Sequence, residues 1–244
     1  MSNRSFIGLA DCYMKQYQVE EAARFTGSLS QLQLQVQEEV QRQRNYGREG
    51  GNLKTARRVT GVQVNAVFQS VSIANLGLAL RAGTSAVNSG TASDEPKKGY
   101  LGALIRTDHP NPTSVVVTDD PMTVTYDINV DYKVTGAGIV PLAGGAITEG
   151  QDLLLSYSYG GYDVVEALTG SQKEFTLYFD GLNEAEGGTN VAVDLWRISW
   201  GTVQDFQLVG DSFINLALAG DLVLDPTRAA NESKFFRWLY PQAA

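Results

Sequence analysis

The stretch SLSQLQLQVQEEV, residues 28–40, decides the fold class. Leu32, Leu34 and Val36 alternate with Gln31, Gln33, Gln35 and Gln37, a period of two that places apolar side chains on one face of a strand and amides on the other. A helical stripe competes, because Leu29, Leu32, Val36 and Val40 fall at helical spacing and Leu, Gln and Glu favour helix intrinsically. The strand is preferred.

Working outward, residues 62–68 repeat the alternation. Val62, Val64, Ala66 and Phe68 share a face opposite Gln63, Asn65 and Val67. On the N-terminal side, residues 8–18 read as a strand with Tyr13 and Tyr17 on one face and Cys12 and Met14 on the other. Ser72 is placed to cap a short helix whose stripe is Ile73, Leu76 and Leu80, with Gly83 as its left-handed stop. Residues 83–99, rich in Ser, Thr, Ala and Gly, are expected to form a loop. Strands are expected at 114–118, 122–134 and 153–159, then at 174–179, 191–198, 206–209 and 213–224. Turns carrying Gly136, Gly138, Gly144, Gly145 and Gly150 lie between the earlier ones. The expected fold is mainly β. It has a β-sandwich or barrel core with one short helix, a long hairpin loop and a β-rich insertion at about 100–165, in a single domain of 244 residues.

The single cysteine, Cys12, excludes an intramolecular disulfide and fits a reducing compartment. Residues 1–16 carry Arg4, Asp11 and Lys15 around a short apolar run, unlike a secretory signal, and no stretch approaches 18 apolar residues. A net charge of −8 argues against global nucleic-acid binding.

Candidate chemistry is sparse. The only histidine, His109, lies in the turn TDHPNP (107–112) and reads as exposed. No Gly-x-Ser-x-Gly elbow or Gly-Lys-Ser/Thr phosphate loop occurs. Cys12 reads as a small buried hydrophobe. Asp127, Asn129 and Asp131 would share a strand face, where a calcium site is conceivable but a solvated face fits better. No catalytic residue, metal site or cofactor is expected.

Charge is the informative feature. Residues 41–60 contain Arg42, Arg44, Arg48, Lys54, Arg57 and Arg58 against Glu49 alone, six minus one, or +5, so the remainder carries −8 − 5 = −13. The segment holds almost no apolar residues beyond Tyr46 and Leu53 and includes Gly47, Gly50 and Gly51. Three explanations compete: a solvated loop, a nucleic-acid arm, and a basic arm that orders against another copy's acidic body. The last accounts for both halves of the asymmetry, and head-to-tail contacts of that kind build rings or filaments. The Gln/Asn face (Gln31, Gln33, Gln35, Gln37, Gln63, Asn65) is either an ordinary solvent face or a channel wall along which a polyanion slides without sticking.

The layout resembles that of the major tail tube proteins of siphophages. The likeness is carried by GLADCYMKQ, by SLSQLQLQVQEEV…GREGGNLKTARRVTGVQVNAVFQ, by SIANLGLALRAG, by YDINVDYKV…GIVPLAGGAITEGQDLLLSYSY and by EFTLYFDGLNEAEGGTNVAVDLWRISW. It covers most of the chain and rests on layout more than on a unique motif. It implies a β-sandwich subunit, six per ring, with rings stacked into a virion tail tube that conducts DNA. Assembly would take place in the host cytoplasm, with terminator, distal tail and tape measure proteins as further partners. By position, Arg42, Arg44, Tyr46, Arg48, Lys54, Arg57 and Arg58 would make inter-ring loop contacts. Gln31, Gln33, Gln35, Gln37, Glu39, Gln63 and Asn65 would face the lumen. Lumens in that family tend to be acidic, whereas this face is mostly Gln. Phe235, Phe236, Trp238 and Tyr240 would form a C-terminal arm docking on a neighbour, or pack on their own sandwich. The alternative is a virion binding module for a receptor or carbohydrate, with Tyr157, Tyr159 and Tyr162 as a stacking platform. An enzyme is the least favoured class.

Overall fold

The computed structural model describes residue 6 and residues 8–241, so Arg4 and its neighbours in the N-terminal segment lie outside it. In chain order the strands are β1 (Gly8–Gln16), β2 (Arg24–Phe25), β3 (Leu29–Arg44) and β4 (Asn52–Phe68), followed by helix α1 (Ile73–Ala79). Then come β5 (Gly83–Val87), β6 (Gly90–Lys98), β7 (Ile105–Arg106), β8 (Thr113–Asp119), β9 (Thr125–Tyr126), β10 (Tyr132–Thr135), β11 (Gly138–Pro141), β12 (Asp152–Tyr159) and β13 (Tyr162–Glu166). The chain closes with β14 (Glu174–Asn183), β15 (Thr189–Trp200), β16 (Leu216–Leu222) and β17 (Phe236–Leu239). The protein is mainly β with one α-helix among the described residues, as expected. It divides into two compact units, one of residues up to 84 and from 165, the other Ser85–Val164. The insertion therefore begins near 85 rather than 100 and is a unit in its own right.

The first unit is built on one antiparallel sheet with strand order β2-β1-β14-β15-β16-β4-β3 and β17 added on β15. Its inward face is set by the alternation seen in the sequence. Cys12, Met14, Val62, Val64, Ala66, Phe68, Leu177, Leu195, Ile198, Trp200, Leu216 and Leu218 are buried in one cluster, with Leu32 and Leu34 packed against it. The sheet closes over this core. Phe25 pairs with Tyr13 on β1 while Leu29 pairs with Phe68 on β4, so four residue steps, at most roughly 14 Å of chain, join the two ends of the strand order.

Ser72 caps α1 as expected, its hydroxyl accepting from the Asn75 amide at 3.2 Å. The buried stripe is Asn75 and Ala79, one turn apart on a single face, while Ile73 is exposed, because Asn75 anchors that face through bonds to the Thr26 and Ser70 carbonyls. The left-handed residue that ends it is Arg81, at φ 45°, not Gly83. The expected strand at 206–209 is irregular chain, and that at 213–224 shortens to β16.

The second unit holds a three-stranded sheet, β10-β11-β7, and a four-stranded sheet, β6-β12-β8-β9, while β13 pairs with β5. Ile105, Val117, Tyr126, Tyr132, Ile139, Ile147, Leu153, Leu155 and Tyr157 form its core. Residues 83–99, expected as a loop, supply β5 and β6. Pro96 is tolerated because β6 is an edge strand. The expected strand at 122–134 is broken by a turn. Asp131 accepts from the Asp127 amide at 2.8 Å and the Ala146 amide at 2.7 Å, and those bonds hold its carboxyl below its usual value. Asn129 sits at φ 63° in this turn, so Asp127, Asn129 and Asp131 do not share a strand face. Among the described residues no three or more His, Cys, Asp or Glu gather where a metal ion could be held.

Candidate functional site

The basic segment 41–60 is not a loop. β3 and β4 continue through it as an antiparallel ladder from Leu29↔Phe68 to Arg44↔Asn52, and only residues 45–51 form the turn. Gly50 and Gly51 supply the positive φ of that turn, at 62° and 86°. β16 pairs β4 only up to Gln63, so Asn52–Val62 of β4 has no strand but β3 beside it. Eleven residues at about 3.4 Å each make a two-stranded arm roughly 35 Å long. From Glu38 to Arg44 and from Asn52 to Thr60 every side chain but Val40 is exposed, and Tyr46 at the tip is 92% exposed.

Directly opposed residues share a face, so the ladder assigns the arm's two surfaces. On one, Gln33 opposes Asn65 and Gln35 opposes Gln63. A register shift follows Gln37↔Gly61, leaving Thr60 as an extra residue whose hydroxyl donates to the Gln37 carbonyl at 3.2 Å. Beyond the bulge Glu39 opposes Arg58, Gln41 opposes Ala56 and Gln43 opposes Lys54. The lumen candidates Gln31, Gln33, Gln35, Gln37, Glu39, Gln63 and Asn65 therefore occupy one continuous face, joined by Arg58 and Lys54. The opposite face carries Val40↔Arg57, Arg42↔Thr55 and Glu38↔Val59, with Arg57 Nη1 reaching Glu38 at 3.3 Å. Arg44, Tyr46 and Arg48 lie at or beside the tip.

The C-terminal aromatics do not form a free arm. Arg237 opposes Asp194 in the β17–β15 ladder and pairs with its carboxylate at 2.6 Å, while Arg228 and Arg237 lie 4.0 and 5.0 Å from the Trp196 ring. Phe235, Phe236 and Tyr240 pack against the chain's own core, and Trp238, 48% exposed, meets Phe6 edge-to-face at 5.1 Å. Within the chain the tail packs on its own sandwich, where backbone pairing and the Arg–Trp contacts hold the segment down.

His109 is not the exposed turn residue expected. Its ring stacks on Tyr159 at 3.7 Å and 6°, and Nδ1 lies 2.9 Å from the Tyr162 hydroxyl. Tyr157 is buried and donates to Glu95, which also binds Lys97 Nζ at 2.6 Å and the Asp108 amide at 3.1 Å. Burial first, and then the bond to Glu95, push the Tyr157 hydroxyl up to about 12. The three tyrosines are thus not an open platform: Tyr157 is core and Tyr159 is covered on one face by His109. The alternating Ser/Tyr pattern at 156–159 signalled the strand, but nothing in the sequence paired it with His109 or Glu95. Glu95→Ala is expected to cost about 1–3 kcal/mol, since it takes away the acceptor of the buried Tyr157 hydroxyl and leaves the Lys97 ammonium with Asp108 alone, at 2.9 Å. Urea unfolding measures the loss, and Glu95→Gln combined with Lys97→Met should recover about half of it. Cys12 is inert, its thiol pushed up to about 11 by burial and then by Asp11.

The fold and arm define an antiparallel β protein whose singular feature is a projecting, basic, two-stranded ribbon. A family profile described as "protein of unknown function UCP028589" matches residues 5–239, and the chain belongs to that family. No curated protein matches the chain. No helix among the described residues is long and apolar enough to cross a membrane.

Proposed function

We propose that this protein is a structural subunit of a phage tail tube, self-assembling into stacked hexameric rings through which viral DNA passes. The observation that carries the reading is the arm. A two-stranded ribbon is marginally stable alone in water, yet this one runs roughly 35 Å past its sheet with both faces solvated and two unpaired edges. Such an element suits a surface supplied by another copy, and the charge division of +5 against −13 supplies a complementary one. The amide-rich face joined to the arm suits a channel wall, because uncharged hydrogen-bonding groups hold water without gripping phosphate. Catalysis and a cofactor form no part of this reading. A receptor- or glycan-binding module is the second reading, weakened by the covering of Tyr159 and the burial of Tyr157.

Negative-stain electron microscopy of the concentrated protein at low and high salt tests the proposal. Hollow tubes or stacked rings are the expected result. Uniform small particles at every salt and concentration, with glycan-array binding by the monomer, would favour the second reading.

A further inference from the structure

In the first unit, the side of α1 bearing Ala74, Gly77 and Leu78, the segment 81–84 and residues 170–175 enclose a cleft of about 450 Å³ over Trp200. Arg24, Arg81 and Lys173 line it, and no carboxylate does. We propose that this cleft is an oxyanion-binding site that takes one phosphate or carboxylate group on Arg24, Arg81 and Lys173.

The charged side chains that line the site are all cationic. Among the described residues none of the three cations sits in an ion pair. Arg81 Nε is buried without a hydrogen-bond partner, and so is Nε1 of Trp200, which is 2% exposed. The neighbouring backbone offers little relief. The carbonyls of Leu76, Gly77 and Leu78 accept from the amides of Leu80, Ala82 and Arg81, and those of Ala79, Leu80 and Arg81 accept from Val203, Leu168 and Gly170. The negative end of the helix is therefore already satisfied and does not oppose an anion. Buried donors left unpaired are costly, and a ligand that brings several acceptors and a negative charge relieves both deficits at once.

Two of the three cations are anchored, Arg24 through its guanidinium and Arg81 through its backbone. Asn75 donates to the carbonyls of Thr26 and Ser70 at 2.8 and 2.9 Å and accepts from Arg24 Nη1 at 3.0 Å, which fixes that guanidinium. Arg81 is locked at φ 45° by the Gly170 amide on its carbonyl. A Cβ on Gly170 would lie 2.9 Å from the Arg81 carbonyl oxygen, so glycine keeps this wall close. The cavity is of the size that holds small organic anions.

The inference does not rest on the tube reading, because the monomer is the binding species. The test is isothermal titration of the purified protein with inorganic phosphate against sodium chloride at equal ionic strength. One phosphate per chain is expected, weakened at least tenfold in Arg81→Gln and in Lys173→Gln. The second variant changes an exposed side chain and guards against misfolding of the first. Arm variants at Arg57 and Arg58 should bind phosphate as the wild type does. If phosphate also dissociates assemblies of the wild type, the natural occupant is a carboxylate from a second copy; if it binds without changing association, the occupant is a free oxyanion. Heat no different from that of chloride, or equal affinity in the wild type and both variants, overturns the site.

Discussion

On the proposed tube reading, Arg57→Glu combined with Arg58→Glu is expected to abolish ring stacking at low salt while leaving the monomer folded. The two residues stand on opposite faces of the arm, so the double change alters both surfaces it can present. It takes the charge of residues 41–60 from +5 to +5 − 4 = +1. The fold is insulated because both side chains are exposed and the one ion pair lost, Arg57–Glu38, has side chains 66% and 42% exposed. Such a pair is worth at most about 1 kcal/mol, or about 2–4 °C in melting temperature for a chain of this size. Association has no such cushion, since the arm that faces an acidic body keeps a net charge of only +5 − 4 = +1, and two carboxylates stand where its guanidinium groups made contact. In the wild type, raising salt from roughly 0.05 to 0.5 M, where the screening length falls to a few ångströms, should reproduce part of the loss. Sedimentation and microscopy read assembly, and circular dichroism reads the fold. A variant that stacks at wild-type yield in low salt would remove the arm from the contact.

The sandwich was legible because its strands are half-buried, and a half-buried strand prints its two faces as alternation. Leu32 and Leu34 against Gln33 and Gln35, and Val62 to Phe68, are of this kind. Residues 41–44 and 52–60 are strand as well, but both of their faces meet water, so no alternation marks them and glycine at the tip suggested a loop. The bulge at Thr60 was hidden for a related reason. Alternation carried back from Gln63 puts Arg57 on the amide face, whereas the extra residue puts Arg58 there. Backbone geometry decided Arg81 over Gly83 as the helix stop, because hydrogen bonds from Leu168 and Gly170 outweigh the local preference of glycine for positive φ. The cationic cleft gathers Arg24, Arg81 and Lys173 from segments that the sequence keeps far apart, and Glu95 meets His109's neighbour Asp108 and Tyr157 only through the β6–β12 register. Pairings of that sort carry no local signature.

Gly138→Ala is expected to be the most damaging single substitution in the second unit. Gly138 opens β11, opposing Thr135 on β10 and Arg106 on β7, and its carbonyl accepts from the Thr135 hydroxyl at 3.0 Å. Its φ of 148° is one that a side chain rarely adopts. An added Cβ would press on the Ile105 carbonyl oxygen and lie 2.9 Å from the Thr107 nitrogen and 3.0 Å from Arg106 Cα, all backbone atoms of the neighbouring segment. Strain and overpacking compound, and relief requires prising β7 from β11 beside buried Ile105 and Ile139, so a loss of about 3–5 kcal/mol is expected. Gly144→Ala separates the two causes: its φ is 95°, but open space surrounds its Cβ, so strain alone should cost about 1 kcal/mol. Tryptophan fluorescence is blind to this unit, because Trp196, Trp200 and Trp238 all belong to the other. Hydrogen exchange over residues 104–141 reads the effect directly. Protection there falling several hundredfold in Gly138→Ala, and less than tenfold in Gly144→Ala, is the expected pair of results. A Gly138→Ala protein protected like the wild type would mean that β7 and β11 yield without cost and that the close approach of their backbones does not hold the second unit together.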